Sequence, residues 1–199
     1  DALSYLPLSH IYERAVQYCH IYLGCTTYYV DNIGAIIETM AEVKPKHFTS
    51  VPRLIEKVYH TIVRKGQKLS GFKKTIFFWA LRLAERYDET KRHNGWFYLQ
   101  KLKIADKLVY TKWREVFGGN LELIISGGAA IQPRLTKIFT AIGIQLSEGY
   151  GLTETSPVIA SNSLTLGKLK SGTVGVVMDN QEVVIAENGY IGIVKIPDL

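Results

Sequence analysis

The chain has 199 residues, 47% of them hydrophobic and 21% charged; this balance suits one sizeable core or two small ones and excludes a disordered chain. No apolar run reaches the roughly 18 residues that read as a membrane span, and no secretory signal is visible. The net charge of +6 is local: residues 53–92 hold 11 Lys/Arg against 4 Asp/Glu, and the remainder holds 13 against 14.

Cys19 and Cys25 fit neither a disulfide framework nor a zinc-ligand spacing. They read as free thiols among apolar residues, which points to a cytoplasmic protein. Asp1 opens the sequence with no initiator Met, so an internal piece of a longer protein is expected.

In chain order, runs rich in β-branched and aromatic residues predict strands at Ser4–Leu8, Cys25–Val30, His47–Val51, Leu121–Ile125 and Ile144–Leu146. Helical periodicity lies between them. It covers Ile11–Leu23, then Asn32–Val43 with Asp31 or Asn32 as cap, Pro52–Lys65 ending before Gly66, and Pro133–Ile142 ending at Gly143. Strands alternating with helices of this length predict an α/β fold: a partial parallel sheet with flanking helices.

Residues 66–118 interrupt the alternation with a helical, basic insertion. Phe72–Tyr87 and Tyr98–Phe117 are its expected helices, separated by the polar break Asp88–Gly95. After Ser171 the texture changes to short runs, Thr173–Val177, Glu182–Ile185 and Ile191–Ile196, that read as antiparallel strands. The expected division is an α/β nucleotide-binding unit over 1–170 and the start of a β-rich subdomain over 171–199, with the boundary near Leu166–Gly172.

The run Glu148–Pro157 (EGYGLTETSP) follows the strand Ile144–Leu146, and ligands of open parallel sheets bind beyond the strands' carboxyl ends. Gly149 and Gly151 flank Tyr150, so the backbone can turn sharply and a flat ligand can approach. Tyr150 offers a stacking face, Thr153 a hydroxyl for phosphate, and Glu154 a hard carboxylate oxygen suited to Mg²⁺. The plainer alternative is a glycine-rich turn with a packed Tyr and a capping Thr–Glu pair. A second loop of small residues, Ser126-Gly127-Gly128-Ala129-Ala130, ends the strand Leu121–Ile125. Joined to the first by one helical crossover, it is placed to wall a nucleotide against it.

SGGAA followed by EGYGLTETSP resembles the acyl-adenylate-forming superfamily. The resemblance implies that Tyr150 packs on adenine, Thr153 holds phosphate, Glu154 binds Mg²⁺, and Gly128 and Ala129 run along the base, with Gly149 and Gly151 shaping the same site. Thr153 and Glu154 are thus the implied catalytic residues. Ala130 stands where many members have Pro. Leu6-Pro7-Leu8-Ser9-His10 resembles the family's PLxH segment, which implies a place for His10 in the substrate pocket; its alternative is a cap on the helix that follows.

Val51–Tyr59 (VPRLIEKVY), the insertion and the run VFGGNLELIISGGAA resemble the long-chain fatty acid–CoA ligase branch. That likeness implies fatty acid, ATP and CoA as substrates, with acyl-AMP as the intermediate. The family's Pro-Lys-Gly phosphate loop, its Tyr-Arg-Thr-Gly-Asp segment and its adenylation lysine are not among these residues. The isolated chain is therefore expected not to form acyl-AMP. Two alternatives are a fragment of an aryl- or medium-chain ligase and a non-catalytic nucleotide-binding scaffold.

The basic helices of 53–92 suggest peripheral contact with the inner face of a membrane. No nucleic-acid-reading motif accompanies the charge, so nucleic acid is not an expected partner. Cut sheet edges with apolar surface suggest self-association across them.

Overall fold

The computed structural model describes residues 1–89, 94–162, 169–179, 181–187, 189 and 191–195. The chain runs β1 (Ala2–Ser4), α1 (Ile11–Tyr22), β2 (Thr27–Tyr29), α2 (Ile36–Val43), β3 (His47–Ser50), α3 (Pro52–Gln67) and α4 (Gly71–Glu85). It continues with α5 (Trp96–Ala105), α6 (Thr111–Glu115), β4 (Leu123–Ser126), α7 (Pro133–Ala141) and β5 (Gln145–Gly151). Four short strands follow: β6 (Val158–Ser161), β7 (Val176–Val177), β8 (Glu182–Ile185) and β9 (Ile191–Lys195).

A seven-stranded sheet carries the order β2-β1-β3-β4-β5-β6-β7. Its first five strands are parallel and β6 and β7 are antiparallel. The mixed α/β architecture with a mostly parallel sheet is as expected. Strand β7 is antiparallel, but it pairs with β6 in the large sheet, and only β8 and β9 form the separate ribbon. The Leu166–Lys168 part of the expected boundary, the 90–93 part of the polar break, and Ile196 lie outside the described residues.

Some element ends move from their predicted positions. The first strand is Ala2–Ser4, not Ser4–Leu8. Pro7 has no amide for a ladder, and its carbonyl instead accepts from the His10 N–H in a turn. The fifth strand extends through the glycine-tyrosine-glycine run because Gly149, Tyr150 and Gly151 pair with Ser161, Ala160 and Val158 of β6. Asn32 is the residue that caps, its side chain accepting from the Gly34 N–H at 2.8 Å ahead of a 3₁₀ turn at Ile33–Ala35.

The single helix expected over Tyr98–Phe117 is divided by a π turn at Asp106–Tyr110. The Thr111 hydroxyl donates to the Asp106 carbonyl five residues back, at 3.0 Å, and Tyr110 is fully buried with its hydroxyl on the Ala80 carbonyl at 2.7 Å. The extra residue per turn rotates Tyr110 toward α4.

Side chains alternate across the sheet. Leu3, Phe48, Ile124 and Leu146 form one cross-strand row and belong to the apolar core with Ile36 and Met40 of α2, Ile55 and Ile62 of α3, and Phe139 of α7. Helices α3, α4 and α7 are joined by Arg134, which donates to the Glu85 carboxylate at 3.0 Å and the Tyr59 hydroxyl at 2.7 Å. The opposite face, where Thr49, Leu123 and Ile125 project, is overlain by α1 and holds the site.

Candidate active site

Helix α1 is anchored to the sheet by a buried polar cluster. Glu13, fully buried, accepts from the Ser4 hydroxyl, from the Gln17 side-chain amide at 2.9 Å, and from the Thr49 hydroxyl at 3.3 Å. The Tyr12 hydroxyl donates to the Ile125 carbonyl at 2.9 Å, and burial pushes its pKa up, with the nearby Glu13 carboxylate adding to the shift. A Cβ on Gly127 would lie 3.2 Å from the Tyr12 ring, so the small residue at 127 lets the loop after β4 close against α1.

Between α1 and the sheet runs a cavity of about 680 Å³. At the carboxyl end of the parallel strands it is bounded by Gly128, Gly149, Tyr150, Gly151, Thr153 and Glu154. Below them, Ile11, Ala15 and Val16 of α1 face Leu123 and Ile125 of β4 across an apolar slot. His20 and His47 lie at the amino end of the strands, their Nε2 atoms 2.9 Å apart. Polar, ligand-accessible backbone thus sits at one end of a mostly apolar slot.

Tertiary pairing makes the glycine end possible. Gly128 holds φ +81°, a left-handed conformation that favours glycine. A Cβ on Gly151 would fall 1.7 Å from the Pro157 carbonyl oxygen, at the bulge where β5 pairs with the start of β6. The peptide before Pro157 is cis. Thr155, which the sequence reading passed over, is buried and donates to the Pro157 carbonyl at 2.8 Å while accepting the Leu152 N–H at 3.0 Å. Those bonds shape the 3₁₀ turn Thr153–Thr155, on which Thr153 and Glu154 are exposed.

Glu148 ties the two loops together. Its carboxylate is buried and accepts the Ile131 N–H at 3.3 Å, and β5 pairs Glu148 with Ser126. Burial raises its pKa above the usual carboxylate value, with the Ile131 bond opposing the shift.

The family description AMP-binding enzyme matches residues 1–192. The chain belongs to that family. A long-chain-fatty-acid–CoA ligase of Mycobacterium bovis, FadD15, is 34% identical over 191 residues, covering 95% of this chain and 31% of the relative. Long chain acyl-CoA synthetase 3 of Arabidopsis thaliana is 31% identical, covering 98% of this chain and 29% of its own length. The chain therefore spans less than a third of the curated relatives it matches. Among solved structures, a long-chain-fatty-acid-CoA ligase (FadD1) from Archaeoglobus fulgidus superposes with a TM-score of 0.57 at 17% identity, covering 96% of this chain and 31% of that one. At that identity the likeness shows a shared fold.

Against the AMP-binding family, six of the residues singled out in the sequence, Gly128, Gly149, Tyr150, Gly151, Thr153 and Glu154, meet at one end of the cavity. His10 also lines it, and its Nδ1 accepts the Tyr12 N–H at 3.2 Å as the cap of α1. His10 is thus the cap of α1 and stands at the cavity's edge. Ala129 is exposed on the same loop and does not line the cavity. No role was read in the sequence for Glu13, Glu148, Thr155 or the His20–His47 pair, although Glu148 and Thr155 lie within the Glu148–Pro157 run and Glu13 is the one acid in the first turn of α1.

Proposed function

We propose that this chain is the adenine-and-metal side of the active site of a long-chain fatty acid–CoA ligase. One observation carries the reading: a glycine-lined nucleotide end and an apolar slot are continuous in a single cavity, as joining an acid to a nucleotide requires. The reaction is fatty acid plus ATP to acyl-AMP and pyrophosphate, then CoA to acyl-CoA and AMP. In the first step a carboxylate oxygen attacks the α-phosphorus and pyrophosphate leaves. In the second the CoA thiol attacks the acyl carbon, loses its proton, and AMP departs.

Tyr150 supplies the stacking face for adenine, Gly128 and Gly149 let the backbone approach the base, and the Thr153 hydroxyl donates to phosphate. His10, at the cavity's edge, lies beside the incoming carboxylate. Ala129 borders the nucleotide from outside the cavity. The contribution of the chain is positioning.

Among the described residues no group of three or more His, Cys, Asp or Glu is arranged to hold a metal. The exposed Glu154 carboxylate beside Thr153 suits Mg²⁺, which binds through one or two carboxylates together with substrate phosphates. When bound there, Mg²⁺ neutralises charge on the phosphates.

Among the described residues no helix is long and apolar enough to cross a membrane. Peripheral contact of the basic helices in 53–92 with an anionic inner leaflet, a cytoplasmic location, and self-association across sheet edges complete the proposal.

The test uses the full parent protein. Tyr150→Ala should weaken ATP binding by about 1–3 kcal/mol, the usual worth of a base stacked on an aromatic ring, and Glu154→Gln should lower fatty-acid-dependent ATP–pyrophosphate exchange. Unchanged exchange in both variants would overturn the assignment.

A further inference from the structure

A second cavity, of about 410 Å³, lies wholly within the helical insertion and the helix before it. That volume falls in the roughly 300–1,000 Å³ range of small-molecule sites. Its walls are Ile62 of α3, Ile76 and Phe77 of α4, and Trp113 of α6. Phe77 and Trp113 pack together with ring centroids 5.2 Å apart, and a Cβ on Gly66 would lie 2.2 Å from the Phe77 ring. The absent side chain at 66 lets α3 and α4 close on this ring and leaves the cavity beside it. Leu69 and Leu108, both lining it, remain 37% and 48% exposed, so the opening itself is apolar.

Three lysines complete the lining, Lys65 from α3, Lys73 from α4 and Lys112 from α6, and no acidic residue lines it. Among the described residues none of the three has an ion-pair partner. The three lysines are exposed at the rim of the apolar cavity, on three different helices, so an anion seated at that rim meets positive charge from each side. A carboxylate brings one negative charge, whereas a phosphate monoester brings about −1.5 to −2 near neutral pH.

We propose that this cavity binds a single-chain amphiphile with a phosphate monoester head, the alkyl chain against Ile62, Ile76 and Trp113 and the head among Lys65, Lys73 and Lys112. The site is separate from the groove beneath α1, shares no lining residue with it, and does not depend on the ligase reading. It also gives part of the local positive charge of 53–92 a defined task.

In the full parent protein, replacing Trp79, Trp96 and every tryptophan outside these 199 residues with Phe leaves Trp113 as the sole reporter, inside the cavity. Monomeric 1-oleoyl lysophosphatidate should change its emission saturably. In the same background, Lys65→Gln with Lys73→Gln and Lys112→Gln should weaken binding by roughly tenfold or more. The charge-matched set Lys57→Gln, Lys101→Gln and Lys170→Gln, which does not line the cavity, should leave it unchanged. Ile76→Phe, narrowing the wall without touching charge, should also weaken it, and it carries the test should the lysine triple not fold. Four results would overturn the proposal: no saturable change, equal losses from the two lysine sets, oleate or inorganic phosphate binding as tightly, or binding to phosphatidylserine vesicles without binding to the monomeric lipid.

Discussion

The Ile131 N–H donates to the Glu148 carboxylate across 3.3 Å, both residues buried, and so binds the end of one glycine loop to the strand that starts the other. The width of the candidate nucleotide end is set by that bond together with the Ser126–Glu148 strand pairing.

Glu148→Ala should leave the Ile131 N–H unpaired and cost about 1–3 kcal/mol, read by denaturant unfolding. Glu148→Gln keeps an acceptor and should cost less. Because burial raises the folded-state pKa of Glu148 above 4.5, its stability contribution is fully present below that value and is lost as pH rises through the folded pKa. The difference in stability between wild type and Glu148→Gln should therefore move in favour of Gln as pH rises. A pH-independent difference would contradict this.

Gly149 and Gly151 look equivalent in sequence but differ in space. A Cβ at 149 would meet nothing nearer than the Ser126 carbonyl at 4.0 Å, whereas one at 151 would meet the Pro157 oxygen at 1.7 Å. Gly151→Ala should lose about 1–3 kcal/mol through overpacking against backbone, while Gly149→Ala should stay near wild type in thermal melting. Equal losses would show that the backbone at the β5–β6 bulge does not approach so closely.

His20 and His47 share one hydrogen bond between their Nε2 atoms at 2.9 Å, which needs one donor and one acceptor. Burial lowers the pKa of both rings; at His20 the nearby His47 adds to the shift and Glu13 opposes it. With folded pKa values depressed, the stability this pair contributes is present above about pH 6.5 and is lost as pH falls through the folded values. Melting should drop by roughly 2–4 °C per kcal/mol so lost, and His47→Gln should flatten the slope between pH 7 and 5. An unchanged slope would remove the pair from the account.

Glu13 accepts from three side chains on β1, α1 and β3. Glu13→Ala should strand those donors and cost upwards of about 3 kcal/mol, with α1 the first element to lose protection in amide exchange. Ser4→Ala removes one donor and should cost about 1 kcal/mol. Equal costs for the two would mean that Glu13 does not act as a hub.

Local chemistry made much of this molecule readable in advance. Apolar periodicity placed α1, α3, α4 and α7 within a few residues, because a helix face that must be buried repeats every 3.6 residues wherever it later packs. The glycine, tyrosine, threonine and glutamate of 148–154 announced their chemistry for a similar reason: backbone freedom, an aromatic face and a hard oxygen belong to the residues themselves. The π turn at Asp106–Tyr110 left no mark in the pattern, since Tyr110 answers to the Ala80 carbonyl, and Asp106 accepts from Arg114, which also donates to the Ile142 carbonyl. Tertiary structure alone decided that β5 runs on through Gly149–Gly151, that Glu148 bridges two loops, and that Glu13 and His20 on α1 meet Thr49 and His47 on β3. Those relationships join residues from 7 to 36 positions apart, and nothing in a local run of sequence says which distant partner will satisfy a buried donor or acceptor.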